Sequence, residues 1–195
     1  MRRWIRPALW VLVIAPAPAI VAMFVLNKLG ANPIREVEHE TGKWALRFLA
    51  GSLAVTPLMR ITGAGWLVAE RRFLGLAAFF WALTHLLVYT VLDWFFDWHE
   101  IWKDILKHWY VTLGMAAFLL LIPLALTSTK ASIRRLGGKR WTQLHRLVYV
   151  SVVLACLHFT WAVKKDISEP ILYGAIVAAL LASRLVWRGG RRSPT

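Results

Sequence analysis

Cysteine is nearly absent from this chain. Cys156 is the single one in 195 residues, so no intrachain disulfide can form, and metal sites built from four cysteines, or from two cysteines and two histidines, are excluded. Acids are scarce as well: ten Asp and Glu stand against 24 Lys and Arg, a formal charge of +14. Long polar stretches are missing and 58% of the residues are hydrophobic, which excludes an ordinary soluble domain. The basic excess does not make a nucleic-acid binder, because the Lys and Arg residues bracket apolar segments and form neither one patch nor a recognition helix. No internal repeat or low-complexity tract is present. Cys156 lies inside an apolar run and reads as a small core residue.

What remains is a succession of apolar runs. They predict an all-α integral membrane protein, a six-helix transmembrane bundle in one membrane domain over residues 1–195, with spans at about 7–26, 44–59, 73–92, 109–127, 143–163 and 171–187. The first run follows M-R-R-W-I-R and contains A-P-A-P-A, as a cleaved signal would, but it continues to transmembrane length and reads as a retained helix. Arg47, inside the short second run, has to face protein or reach outward. Six spans put both termini on one side. That side holds Arg2, Arg3, Arg6, Arg60, Arg71, Arg72, Lys130, Arg134, Arg135, Lys139, Arg140, Arg188, Arg191 and Arg192, which makes it cytoplasmic by the positive-inside rule. The opposite side collects Glu36, Glu38, Glu40, Asp93, Asp97, Glu100, Asp104, Asp166 and Glu169. Between the third and fourth spans, residues 93–108 repeat Trp94, Trp98, Ile101, Trp102, Ile105 and Trp109 at helical spacing, with Asp93, Asp97, Glu100 and Asp104 on another stripe. This reads as an amphipathic helix lying on the outer membrane surface, tryptophans to lipid, its acids either solvated or available for docking.

Histidine carries the chemistry. His39, His99 and His108 fall in or beside outer loops and read as solvated, whereas His85, His145 and His158 lie on spans, where an uncompensated imidazole is costly. Counted from the inner ends of their helices, His85 stands at roughly 18 Å and His158 at roughly 22 Å, a shared depth in the outer half. Two imidazoles at one depth can clamp a haem iron from both faces; they can also be a hydrogen-bonded pair in a packed bundle, or part of a proton relay. A relay usually recruits carboxylates, and these spans have none near the midplane. His145 stands at the inner surface among Lys139, Arg140, Arg146, Arg71 and Arg72, a cluster that suits haem propionates, a flavin phosphate or anionic lipid as well as it suits plain topology signalling.

L-T-H-L around His85, G-K-R-W-T-Q-L-H-R-L-V-Y around His145 and H-F-T-W-A-V-K from His158 resemble the ferric-reductase-like transmembrane proteins. Among these they are most similar to the haem-binding membrane subunits of periplasmic methionine sulfoxide reductase systems. N-P-I-R-E-V-E-H-E-T-G-K-W-A-L, T-P-L-M-R, R-R-F-L-G-L and P-L-A-L-T-S-T fit the same pattern, so the resemblance runs from about Asn32 to Lys165. It implies a bacterial inner-membrane electron-transfer subunit with haem b, one or two per chain, and an associated FMN. Electrons would come from the quinone pool, through quinol or a flavin reductase, and pass to a periplasmic molybdenum-containing reductase that repairs oxidised proteins. By motif, His85 and His158 would ligate an outer haem, and His145 would serve an inner haem or the flavin. In related oxidases a histidine stands fourteen residues before the one on the third span; here that position is Arg71. Only R-G-G-R-R-S-P-T follows the sixth run, so no nicotinamide domain of the oxidase kind is expected. Two rival readings stay open: a metalloreductase delivering electrons to ferric iron or oxygen, and a small histidine-dependent transporter or proton channel.

Overall fold

The computed structural model describes residues 2–163 and 166–189. The expected basic tail with Arg191 and Arg192, and Lys164 and Lys165, lie outside the described residues. All regular structure among the described residues is helical, as the apolar runs predict. Helices α1 (Arg2–Ile14) and α2 (Pro16–Val25) follow one another through Ala15, whose dihedrals stay helical, with Pro16 preset at the first turn of the second. Helix α3 (Pro33–Thr62) is the longest. The Asn32 side chain accepts from Arg35 N at its start, and Gly63, at φ 70°, ends it in the left-handed region that glycine alone enters cheaply. A 3₁₀ turn leads into α4 (Val68–Leu87), whose last turns widen into a π-helix, Val88–Asp93. Then come α5 (Trp98–Lys107), α6 (Trp109–Leu126), α7 (Lys130–Leu144), α8 (Leu147–Ala162) and α9 (Ser168–Gly189).

Three stretches are long and apolar enough to cross a membrane, Trp4–Val25, Gly65–Asp93 and Trp109–Leu126; α7 with α8 makes a fourth if their 41° bend lies within one span. The described structure departs from the sequence reading in three places. The stretch before Trp44, with Glu36, Glu38, His39 and Glu40, is helical and adds eleven residues, 33–43, to the start of α3. The fifth run is broken at His145–Arg146 instead of continuing through them. The expected amphipathic helix of residues 93–108 is shorter, because the π-helix keeps residues up to Asp93 on α4 and a turn with Phe95 and Phe96 at positive φ intervenes.

The bundle is built from two antiparallel pairs, α3 along α4 and α6 along α8, with α4 touching α6 and α9 closing against α3 and α8. Small residues line the packing of α4: Ala77 and Ala78 are buried, and Gly75 lies beside Ser52 of α3. Leu53, Val152 and Ser151 are fully buried at the centre. Several polar groups inside are satisfied across helices. Ser151 donates to Ala117 O, Trp81 Nε1 to Val13 O, and Arg47 Nε to Tyr173 OH at 2.7 Å, so Arg47 faces protein.

Arg184 illustrates the logic. Pro57, inside α3, has no N–H to give to the carbonyl four residues earlier, which is Leu53 O. Arg184 of α9 supplies the missing donor, through Nη2 at 2.7 Å, while its Nη1 donates to Tyr149 OH at 2.8 Å. The guanidinium thus ties α9 to α3 and α8 at a break in α3. Arg184→Met should leave Leu53 O without a donor, at a cost of about 1–3 kcal/mol. Pro57→Ala restores an N–H there, so the loss of thermal midpoint in detergent caused by Arg184→Met should be smaller in the Pro57→Ala background than in the parent. Equal losses in both backgrounds would refute the pairing.

Candidate functional site

A cavity of about 370 Å³ lies between the two helix pairs, lined by residues of α3, α4, α6 and α8 and reaching the end of the bundle where the acids gather. His85 and His158 face each other across it, ring centres 6.1 Å apart and planes at 71°. A metal–imidazole nitrogen bond is about 2 Å long, so this separation suits one metal atom held from both sides. Each ring is fixed by its other nitrogen. His85 Nδ1 donates to Glu38 O at 2.9 Å and His158 Nδ1 donates to Tyr110 O at 2.7 Å. A carbonyl can only accept, so the proton sits on Nδ1 in both rings and Nε2 keeps its lone pair for a ligand.

The two anchors are built alike. Four residues after each acceptor carbonyl stands a glycine, Gly42 after Glu38 and Gly114 after Tyr110, and the imidazole lies over it. A Cβ at Gly42 would meet His85 Nδ1 at 3.2 Å; a Cβ at Gly114 would meet His158 Nδ1 at 2.8 Å, closer than atoms tolerate. Sequence reasoning passed over both glycines, although a glycine inside a helical apolar run is itself a sign of close approach.

The lining changes character along its depth. The floor is apolar, with Leu46, Leu49, Ala78, Leu121 and Ala155, whereas the mouth holds Asn32, Arg35, Glu38, His39, Asp93, Trp94 and Asp104. Asp104 accepts from Tyr89 OH at 2.7 Å through Oδ2 and pairs with His108 Nδ1 at 2.7 Å through Oδ1. Burial, then the charge of Asp93 and more weakly of Asp104, push the Glu38 carboxyl up to about 7, with Arg35 opposing. Trp94 Nε1 is buried with no hydrogen-bond partner among the described residues.

Two expectations are corrected here. The acids of residues 93–104 do not act as one stripe: Asp93 and Asp97 are exposed, but Asp93 lines the cavity with Asp104, Asp97 caps α5 by accepting from His99 N and Glu100 N, and Glu100 is paired with Lys103. Nor are His39 and His108 free loop histidines, since His39 lines the cavity and His108 is bound to Asp104. The tryptophan expectation fits better: Trp98, Trp102 and Leu106 are exposed along one side of α5.

His145 is elsewhere, at the break between α7 and α8. Its ring stacks on Trp141 with centres 3.8 Å apart, Nδ1 donates to Trp141 O, and Nε2 is buried without a partner. The charge of Arg71 reaches it.

Among the described residues no group of three or more His, Cys, Asp or Glu could hold a bare metal ion. Two imidazoles suit a metal that brings its remaining ligands with it, as a haem iron does. The residues present fit that group: a paired lone-pair geometry, an apolar floor, and an orphaned donor at the mouth. Gly114→Ala should therefore displace His158 and abolish two-imidazole ligation, read as loss of the low-spin visible spectrum. Gly42→Ala, where His85 has to yield only slightly, should weaken it less. The reverse order would contradict the described contacts.

Residues 41–156 match the family described as ferric reductase like transmembrane component. A curated relative from Rhodospirillum rubrum is 51% identical over 93% of this chain and 87% of its own length. One from Herminiimonas arsenicoxydans is 46% identical over 97% and 88%, and one from Xanthomonas euvesicatoria is 52% identical over 83% and 73%. All three are named protein-methionine-sulfoxide reductase heme-binding subunit MsrQ. With the helical bundle and matches of this extent, the chain belongs to the ferric reductase like transmembrane family and, within it, to the MsrQ group.

Proposed function

We propose that this chain is a haem-binding electron-transfer subunit of a bacterial methionine sulfoxide reductase system, with His85 and His158 as the axial ligands of a b-type haem. One observation carries the reading: two imidazoles, each with Nδ1 locked to a backbone carbonyl, meet across one cavity in a membrane bundle. The names of the relatives support it. When bound, the haem supplies one-electron transfer at its iron.

The chain's own part is to hold and tune. Nδ1–H···O=C bonds orient both rings and raise the basicity of Nε2. The apolar floor keeps water from the iron and lowers the local dielectric, a lever on redox potential. Ligands on two different helix pairs make the cofactor a clasp between α3–α4 and α6–α8. The chain makes no bonds in the substrate itself.

The wider assignment is part of the same proposal. The chain sits in the inner membrane with both termini cytoplasmic and spans it six times. Quinol, directly or through a flavin reductase, delivers electrons at the basic end. They leave from the acidic end to a periplasmic molybdenum-containing reductase. His145, with an unpartnered Nε2 beside Arg71, serves a second haem or an FMN at the basic end.

The test is spectroscopic. The purified protein should show b-type absorption, and His85→Ala or His158→Ala should each remove the low-spin spectrum of this haem. His145→Ala should leave it, and a quinol analogue should reduce the parent. A protein without haem bands would favour the transporter reading. A His145→Ala variant as damaged as the other two would refute the assignment of the ligand pair.

A further inference from the structure

The mouth of the cavity holds two donors without acceptors. Trp94 Nε1 is buried and unpartnered, and the Arg35 guanidinium makes no ion pair or side-chain hydrogen bond among the described residues. An indole N–H shut away from water and left unpaired costs about 1–3 kcal/mol. The other cation of the mouth is engaged, since Lys43 pairs with Glu40 and Glu169. Asp104 is engaged too, one oxygen to Tyr89 and one to His108. Glu38 and Asp93 also stand in the mouth, but neither pairs with Arg35 or accepts from Trp94, so these two donors still lack an acceptor within reach.

A haem held by His85 and His158 brings two such acceptors, its propionate carboxylates, on one edge. That edge can face the floor or the mouth. The floor offers Leu46, Leu49, Ala78, Leu121 and Ala155 and no cation, so a carboxylate there would be buried unpaired. At the mouth, Glu38 and Asp93 oppose a further anion, which makes the unpaired guanidinium decisive for whether one can stay. We propose that the Arg35 guanidinium and the Trp94 indole N–H form a carboxylate site at the cavity mouth, which seats the haem with its propionates toward the acidic end of the bundle. This rests on the two-histidine ligation proposed above. Arg35 is a positioning residue here: it touches the rim of the cofactor and not the iron.

Haem dimethyl ester, in which both carboxylates are neutral and blocked, separates this from a structural effect. The full-length protein in detergent, freed of haem, is titrated with haem and with the ester, and binding is read from the low-spin spectrum. The parent should bind haem about tenfold more tightly than the ester, the worth of one charge-assisted hydrogen bond. Arg35→Gln should lose most of that preference by weakening haem and leaving the ester unchanged, Arg35→Lys should keep part of it, and Trp94→Phe should reduce it. A parent that binds both equally overturns the proposal, and so does an Arg35→Gln variant that weakens both alike or neither. A parent that takes up haem without a low-spin spectrum overturns the ligation, and the carboxylate site with it.

Discussion

Two hydrogen bonds, His85 Nδ1 to Glu38 O and His158 Nδ1 to Tyr110 O, hold the site together. Each does three things at once. It satisfies a polar nitrogen in a medium that supplies no water, it fixes the tautomer, and it pins a side chain of one helix to the backbone of its neighbour. The arrangement repeats on both sides of the cavity, with a glycine one turn beyond the acceptor in each case. The cavity is thus bounded by two matched helix pairs, and the distance between the free nitrogens is set by backbone and not by flexible side chains. Positioning by backbone is what a site needs when it must keep its geometry through cycles of charge change.

The same rule governs places far from the histidines. Where Pro57 withholds an N–H, Arg184 crosses from another helix to supply a donor. Where α4 ends in a π-helix, Tyr89 reaches Asp104, and Asp104 reaches His108 at the start of α6. In a soluble protein water would cover such gaps. Here each one is closed by a named side chain, so the polar residues of the interior double as the joints of the bundle.

Much of this was legible in the sequence. The apolar runs marked most of the bundle, and counting residues from the helix ends put His85 and His158 at one level, where their rings lie 6.1 Å apart. The charged stretch before Trp44 was read as a loop because composition alone cannot show that acids at the exposed end of a helix cost little; Val37 and Thr41 of the same turns are buried and hold them in the helix. The separate roles along the acidic stripe were hidden for a related reason. Periodicity gives the face on which Asp97 and Asp104 stand, but not that one is used as a cap and the other as a clamp. Arg35 and Trp94 were passed over because their shared place at the mouth depends on the π-helix that Trp94 ends, which no propensity argument forecasts.

The contrast between an apolar floor and a polar mouth also bears on how such a protein is assembled. Seated as proposed, a haem would enter this cavity greasy edge first. Loading can then follow insertion of the finished bundle, from the side where the acids gather, and needs no parting of the four helices from within the lipid. Maturation would then be a separate step from folding, supplied from one face of the membrane.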